Sequence, residues 1–400
     1  MPLLLLLIAA ALQAQQPALD YLRSHNDAHL DLQVRIAEIP APTFHEAERA
    51  EFMAEAFRRA KLHDVEIDAK GNVIGWRPGR RPEALLLAAH LDISFAPGVV
   101  TKVRKEGARW HGPGLADDSR GLACLIAIAE ALDHAGIETE RTIAFVANVG
   151  EEGLGDLAGV RYLFEESPHK ARFRAFISID GTSPARIVNG GTSVKRYRVT
   201  ARGPGGHSYG NFGRPSPVHA IGNMVARLAA MEVPAEPKTT YNVGRLGGGT
   251  AVNAIAEEGW MEVDLRSESP AELDRLEVKF LEAVRLGLAA ENEKRPSANG
   301  LSVETKLVSN RPGGTTAPSD RLVAAAMAAV RAAGHQPKLL FSSTDANLPI
   351  SLGIPAITMG GGGKSDNAHS LEEWFEPAEA WKGPQTVLLT ILNFDTIGTR

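Results

Sequence analysis

Cysteine is almost missing: Cys124 is the single one in 400 residues. No intrachain disulfide and no thiolate metal cluster can form, so any metal must be bound through nitrogen and oxygen. Within Gly-Leu-Ala-Cys-Leu-Ile-Ala (121–127) the thiol has only apolar neighbours, which marks it as a core residue and not a nucleophile. Runs of like charge are also missing. A net charge of −5, with no basic stripe, offers nothing to nucleic acid or an anionic membrane surface and leaves a small molecule as the expected partner. Internal repeats and low-complexity segments are absent, and no apolar run is long enough to span a bilayer. The first 14 residues, MPLLLLLIAAALQA, are apolar and end in small residues before Gln15-Gln16. They read as a signal peptide cleaved near Ala14, which predicts a secreted or periplasmic protein with no membrane attachment after cleavage.

What is present is the composition of a globular protein, 44% hydrophobic and 23% charged, on a chain longer than one hydrophobic core usually serves. From residue 83 onward, strand-length apolar runs (84–89, 142–146, 176–179) alternate with longer helical patterns such as 121–132. This alternation predicts an α/β domain with helices layered on a sheet. After about residue 190 the pattern becomes β-α-β-β-α-β-like, with strands over 193–201, 259–266 and 301–308 and helices over 217–231 and 274–288. The α/β style resumes with a helix over 320–333 and an apolar run over 354–359. The expected organisation is a leader (1–14), a main domain (18–190 and 310–400) and an inserted α+β domain (191–309), hinged at Gly190-Gly191 and 311–314.

Five chemically suggestive motifs lie at strand ends or in the turns that follow them, where open α/β sheets place ligands. Leu-Leu-Leu-Ala-Ala-His90-Leu-Asp92 ends a strand in a histidine, with a carboxylate two residues on, on the same face. That carboxylate is expected to reach the imidazole N–H and fix its tautomer. Asp117-Asp118 stand between glycines at a helix start, where one carboxylate can bridge two cations and the other can cap the helix. In Asn-Val-Gly-Glu151-Glu152-Gly the adjacent side chains diverge, so one can bind metal while the other faces water as a general base. Asp180 ends an apolar strand, and His369 follows the Gly360–Gly363 loop. Two histidines with three carboxylates suit Zn²⁺, Mn²⁺ or Co²⁺ and are too nitrogen-rich for Ca²⁺ or Mg²⁺. The glycine run either offers backbone N–H groups to a substrate carboxylate or is a flexible turn. No serine sits in a Gly-x-Ser-x-Gly elbow.

These ordered motifs resemble the co-catalytic zinc exopeptidases, the family of peptidase T, carboxypeptidase G, aminoacylase and carnosinase. The resemblance covers nearly all of the chain after the leader. It implies a three-layer αβα catalytic domain with an inserted ferredoxin-like lid and dimerisation domain. Two zinc ions would be held, one by His90, Asp117 and Asp180, the other by Asp117, Glu152 and His369, with Asp117 bridging. Glu151 would be the general base and Asp92 the acid behind His90. Gly-Pro-Gly-Gly-His207-Ser resembles the family's lid histidine, which supports the oxyanion and in dimeric members reaches the neighbouring subunit. Asn253 and Arg266 look like substrate-contacting positions of the peptidase T branch; Arg266 either clamps a substrate carboxylate or pairs with an acid on its own sheet face. The remaining histidines match no motif and are expected in ordinary surface or core roles.

The expected chemistry is metal-assisted hydrolysis of a small peptide. An aspartate at position 180 leans, within the resemblance, toward release of an N-terminal residue from a di- or tripeptide. The alternatives are a carboxypeptidase or N-acyl-amino-acid deacylase of the same family, or a noncatalytic binding protein on the same fold.

Overall fold

A computed structural model describes residues 15–297 and 300–396; the leader expected over 1–14 lies outside them. Among the described residues no helix is long and apolar enough to cross a membrane. The chain divides at Gly191/Thr192 and Gly314/Thr315 into two compact units.

The first unit is built on a mixed sheet containing β1 (His63–Ile67), β2 (Val73–Arg77), β3 (Arg81–His90), β4 (Arg141–Asn148), β5 (Phe173–Ile179) and β6 (Arg186–Gly191). The second unit supplies four strands between β6 and the strands that complete this sheet: β7 (Ser193–Arg202), β8 (Thr239–Gly248), β9 (Glu258–Ser267) and β10 (Ser302–Arg311). β11 (Lys338–Ser342) and β12 (Ala356–Met359) then return to the first sheet, whose order runs β1-β2-β4-β3-β5-β12-β6, with β11 beside β6. Its centre, β4-β3-β5-β12, is parallel. That explains the uninterrupted apolar run of β3. Leu85, Leu87 and Ala89 enter the core on one face, and Ala84, Leu86 and Ala88 enter the core on the other. A strand buried on both faces has no solvent side to mark with polar residues.

On the first face lie α1 (Asn26–Ala37), α2 (Ala47–Arg59) and α3 (Ser119–His134), together with α6 (Arg321–Ala332) and α7 (Lys382–Thr396) from the far end of the chain; α4 (Pro217–Ala229) and α5 (Pro270–Lys294) belong to the second unit. The opposite face is covered by shorter helical segments that contribute Leu157, Val160, Leu163, Phe164, Leu348 and Ile350. The unit is thus a three-layer αβα sandwich. Leu122, Leu125, Ile126, Ala129 and Leu132 of α3 are all buried, and Asp118 caps the helix by accepting the N–H of Gly121 at 3.1 Å. Cys124 sits in this core with its thiol pushed up to about 11 by burial.

The second unit has the order β7-α4-β8-β9-α5-β10, with a four-stranded antiparallel sheet, β8-β9-β7-β10, on which both helices pack, and a separate two-stranded pairing of Gly206–His207 with Ala254–Ile255. β8 is the strand the apolar pattern does not reveal. It forms one edge of the sheet, its burial alternates only weakly, and it carries three glycines.

Two N–H groups of the Gly360–Gly363 run are engaged within the unit. The N–H of Gly361 is spent on the carbonyl of Gly181 (2.8 Å) and that of Gly362 on Thr182 (2.7 Å). A Cβ at Gly362, where φ is +89°, would stand 2.1 Å from the Ala380 carbonyl oxygen. Gly362→Ala is therefore expected to lower unfolding stability by about 2–4 kcal/mol through overpacking and left-handed strain. Gly353→Ala, at φ +74° but with nothing within 4 Å of the new Cβ, should lose only about 1–2 kcal/mol. Urea denaturation of the two variants checks the difference, and equal losses would contradict the packing argument.

Candidate metal centre

The parallel register brings the site residues to one edge of the sheet. His90 is the last residue of β3 and pairs with Asn148, the last of β4; Ala88 pairs with Ser178, so Asp180 follows the end of β5 at the same level. Glu151 and Glu152 begin the turn beyond β4, and Asp117 immediately precedes the cap of α3. His369 adopts φ +66° in the loop between two short strands, Lys364–Asp366 and Trp374–Glu376. A non-glycine residue held there stores strain of the kind that collects at functional sites.

Asp117 is the centre of the arrangement. Its Oδ1 lies 3.0 Å from Nε2 of His90, and its Oδ2 lies 3.1 Å from Nε2 of His369. His369 Nε2 is also 2.8 Å from Oε1 of Glu152. Ligand atoms of His90, Asp117 and Glu152 all fall within 4.8 Å of one another. The ring of His90 is oriented from behind, but not as the i, i+2 spacing suggests. Its Nδ1 donates to the backbone carbonyl of Asp92 at 3.0 Å, while the carboxylate stands 3.6 Å away. The carboxylate is already engaged: Oδ1 accepts the N–H of Glu151 (2.9 Å), and Oδ2 accepts the N–H of Glu152 (2.9 Å) and the hydroxyl of Thr43 (2.9 Å). Asp92 therefore serves both the histidine and the Glu151-Glu152 turn.

The field at this edge is strongly negative. Hydrogen bonds to Asp117 and Glu152 push His369 up to about 11. Burial works against a charged His90, yet Asp117, Asp92 and Asp118 hold its pKa well above that of an ordinary histidine. Burial would raise Asp117, but the two imidazoles hold it well below the usual carboxylate range. Burial and the neighbouring Asp117 carboxylate raise Asp180, whose backbone is fixed by Arg186 and Met359. Imidazole nitrogens facing both oxygens of a shared carboxylate, with further acids around them, form a donor set that fits a pair of divalent cations of the zinc type.

Two further carboxylates, Glu373 and Asp345, carry no signal that sequence reasoning could use, and Asp118 shows in sequence only as a helix cap. Glu373 accepts the N–H groups of Gly114 (2.9 Å), Ala116 (2.8 Å) and Asp117 (3.3 Å), and so pins the loop that presents Asp117. Burial pushes its pKa up to about 7 against the pull of those N–H groups. Asp118 accepts the N–H of His90 at 3.1 Å in addition to capping α3. Asp345 accepts the side-chain N–H of Asn148 at 2.8 Å, and burial pushes it up to about 7. In the sequence Glu373 and Asp345 are acids in ordinary turns; only the tertiary structure aims them.

His207, Asn253 and Arg266 belong to the second unit. His207 and Asn253 are brought together there: His207 pairs with Ala254, and the N–H of Ser208 donates to the carbonyl of Asn253 at 2.9 Å. Nδ1 of His207 accepts the N–H groups of Tyr209 (3.3 Å) and Gly210 (3.2 Å), which leaves the ring proton on the exposed Nε2. Arg266 is engaged with Asp264 of its own strand (2.6 Å), the sheet-face ion pair that its sequence left open.

The profile described as Peptidase family M20/M25/M40 matches residues 86–393. The chain is 25% identical over 350 residues to the succinyl-diaminopimelate desuccinylase of Corynebacterium glutamicum, covering 85% of this chain and 89% of that one. Its fold superposes with a TM-score of 0.76 on the aminopeptidase PepT of Bacillus cereus, at 21% identity, covering 92% of this chain and 98% of the other. With the YXEP protein of Bacillus subtilis, described as a dinuclear metal-binding peptidase of the M20 family, the TM-score is 0.70 at 16% identity, covering 92% and 98%. At these identities the two structures share the fold.

The raised pKa of His369 gives a signed pH dependence for metal-stripped protein. A histidine whose folded pKa exceeds its unfolded value stabilises fully below about 6.5 and loses that contribution as pH rises toward 11. Wild-type melting temperature should therefore fall more steeply between pH 6.5 and 9 than that of His369→Ala. Parallel profiles would show that the imidazole is not held by these carboxylates.

Proposed function

The chain belongs to peptidase family M20/M25/M40, and from that premise we propose that it is a dizinc exopeptidase releasing the N-terminal residue of a di- or tripeptide. The observation that carries the reading is the carboxylate of Asp117 shared between His90 and His369, with Glu152 against one imidazole and Glu151 beside it in sequence. His90, Asp117 and Asp180 would hold one cation, and Asp117, Glu152 and His369 the other. When bound, the pair supplies Lewis acidity and a water acidic enough to act near neutral pH.

The chain's own residues do the remaining work. Glu151, buried at the site edge with its N–H fixed by Asp92, takes a proton from the attacking water and returns it to the departing amine nitrogen. Asp92 keeps His90 in the tautomer with its proton on Nδ1, so that Nε2 offers a lone pair to the site. His207, with Nδ1 occupied by two N–H groups, presents an Nε2–H of the kind that stabilises an oxyanion. Asn253, held beside it, is the accompanying polar contact for substrate. Arg266 gives its Nε and one Nη2 proton to Asp264, so a substrate carboxylate would meet its Nη1 edge.

The aspartate at position 180 supports attack next to a free N-terminus. A second reading is favoured by the desuccinylase relative: hydrolysis of an N-acylated amino acid at the same centre.

Glu151→Gln should keep the fold and bound metal while lowering kcat by about 10²–10⁴-fold. Steady-state kinetics of the metal-loaded variant decide this, and near-wild-type turnover would refute the assignment. In the same assay the wild type should cleave Ala-Ala-Ala far faster than N-acetyl-alanine; the reverse order would establish the deacylase reading.

A further inference from the structure

The strand end bearing His90 is lined by the segment that leads into α2. The N–H of Ile93 donates to the carbonyl of Ala41 at 2.9 Å, and Thr43 reaches Asp92. The stretch Thr43-Phe-His-Glu46 has the Thr-x-x-Glu pattern of a helix capping box. Helix α2 begins later, with Glu46 itself at the N-cap and no side-chain cap bond; its carboxylate is held locally by the N–H groups of Phe44 and Glu46. Glu46 turns inward, and so does Arg49 three residues later on the same helical face, leaving them 6% and 0% exposed. Burying either charge is costly unless each finds partners.

The partners lie behind the proposed catalytic turn. Oε1 of Glu46 accepts the N–H of Gly150 at 3.1 Å. The next two N–H groups, of Glu151 and Glu152, go to the two oxygens of Asp92. Three consecutive backbone N–H groups thus converge on two carboxylates, an anion nest whose anions are supplied by the protein. Gly150 adopts φ +64°, which suits it to begin such a turn. Arg49 provides the opposite charge nearby. Its guanidinium donates to the carbonyls of Leu91 (2.8 Å), Ile39 (2.5 and 3.0 Å) and Ala37 (3.5 Å). Burial pushes its pKa down to about 10, while the carboxylates of Asp92, Asp118 and Glu46 pull it back up.

We propose that Glu46 is a positioning residue: with Asp92 it fixes the Gly150–Glu152 turn and thereby aims Glu151 and Glu152. The inference rests on the reading of Glu151 as base and Glu152 as ligand. Its test therefore includes a readout independent of turnover.

Glu46→Ala removes the acceptor, and Glu46→Gln keeps an oxygen for the Gly150 N–H; Glu46→Asp, too short to reach, replaces Ala should the latter fail to fold. In metal-free full-length protein, hydrogen exchange in peptides spanning 148–153 should quicken at least about tenfold in Ala and stay within about twofold of wild type in Gln. In metal-loaded protein kcat should fall by about 10–100-fold in Ala, with KM little changed, and be mostly restored in Gln. Wild-type exchange and kcat in Ala, or equal losses in Ala and Gln, would overturn the inference. A wild-type protein that hydrolyses neither peptides nor N-acyl amino acids would instead sink the catalytic reading, with the exchange comparison still deciding the role of Glu46.

Discussion

Buried negative charge at the carboxyl edge of the parallel sheet is the constraint around which the first unit is organised. Carboxylates placed this close in a partly dehydrated space repel one another unless each has a donor or a counter-charge. The protein divides them into two groups. Asp92, Asp118 and Glu373 are satisfied chiefly by backbone N–H groups, and so convert their charge into geometry for His90, Asp117 and the Glu151-Glu152 turn. Asp117 and Glu152 instead face imidazole nitrogens, and their field draws protons onto His90 and His369. That second group is what a pair of divalent cations would satisfy.

Much of this was legible in the sequence because burial on both faces leaves a plain mark. The run Leu85–Ala89 and the spacing of Leu122, Leu125, Ile126, Ala129 and Leu132 announce a buried strand and the helix packed on it, and the acids at their ends announce the site. What was not legible depends on contacts distant in sequence. The edge strand β8 is half-exposed and broken by glycine, so no period of two stands out. Glu373 binds backbone groups more than 250 residues away in the chain. The pattern Thr43-x-x-Glu46 is a sound local signal for a helix cap, but it does not show that Thr43 reaches Asp92 or that Glu46 also takes the N–H of Gly150.

Asp92 and Arg266 show how local partners compete for a side chain aimed at a site. Two residues beyond His90, the Asp92 carboxylate has the direction to reach the ring, yet a backbone carbonyl is nearer and the carboxylate has three other donors. Arg266 has the fork to bind a carboxylate, and Asp264, two residues away on the same strand face, takes its Nε and Nη2 edge. In both cases a local acceptor that costs little chain entropy takes the bond first.

The central claim is that the field around Asp117 is built for two cations, with His90 and His369 holding protons in their place. Isothermal titration calorimetry of zinc into metal-stripped protein at pH 8, in two buffers of different ionisation enthalpy, measures cation and proton stoichiometry together. The account predicts two cations per chain and the release of about two protons on saturation. A single cation, or binding without proton release, would contradict it.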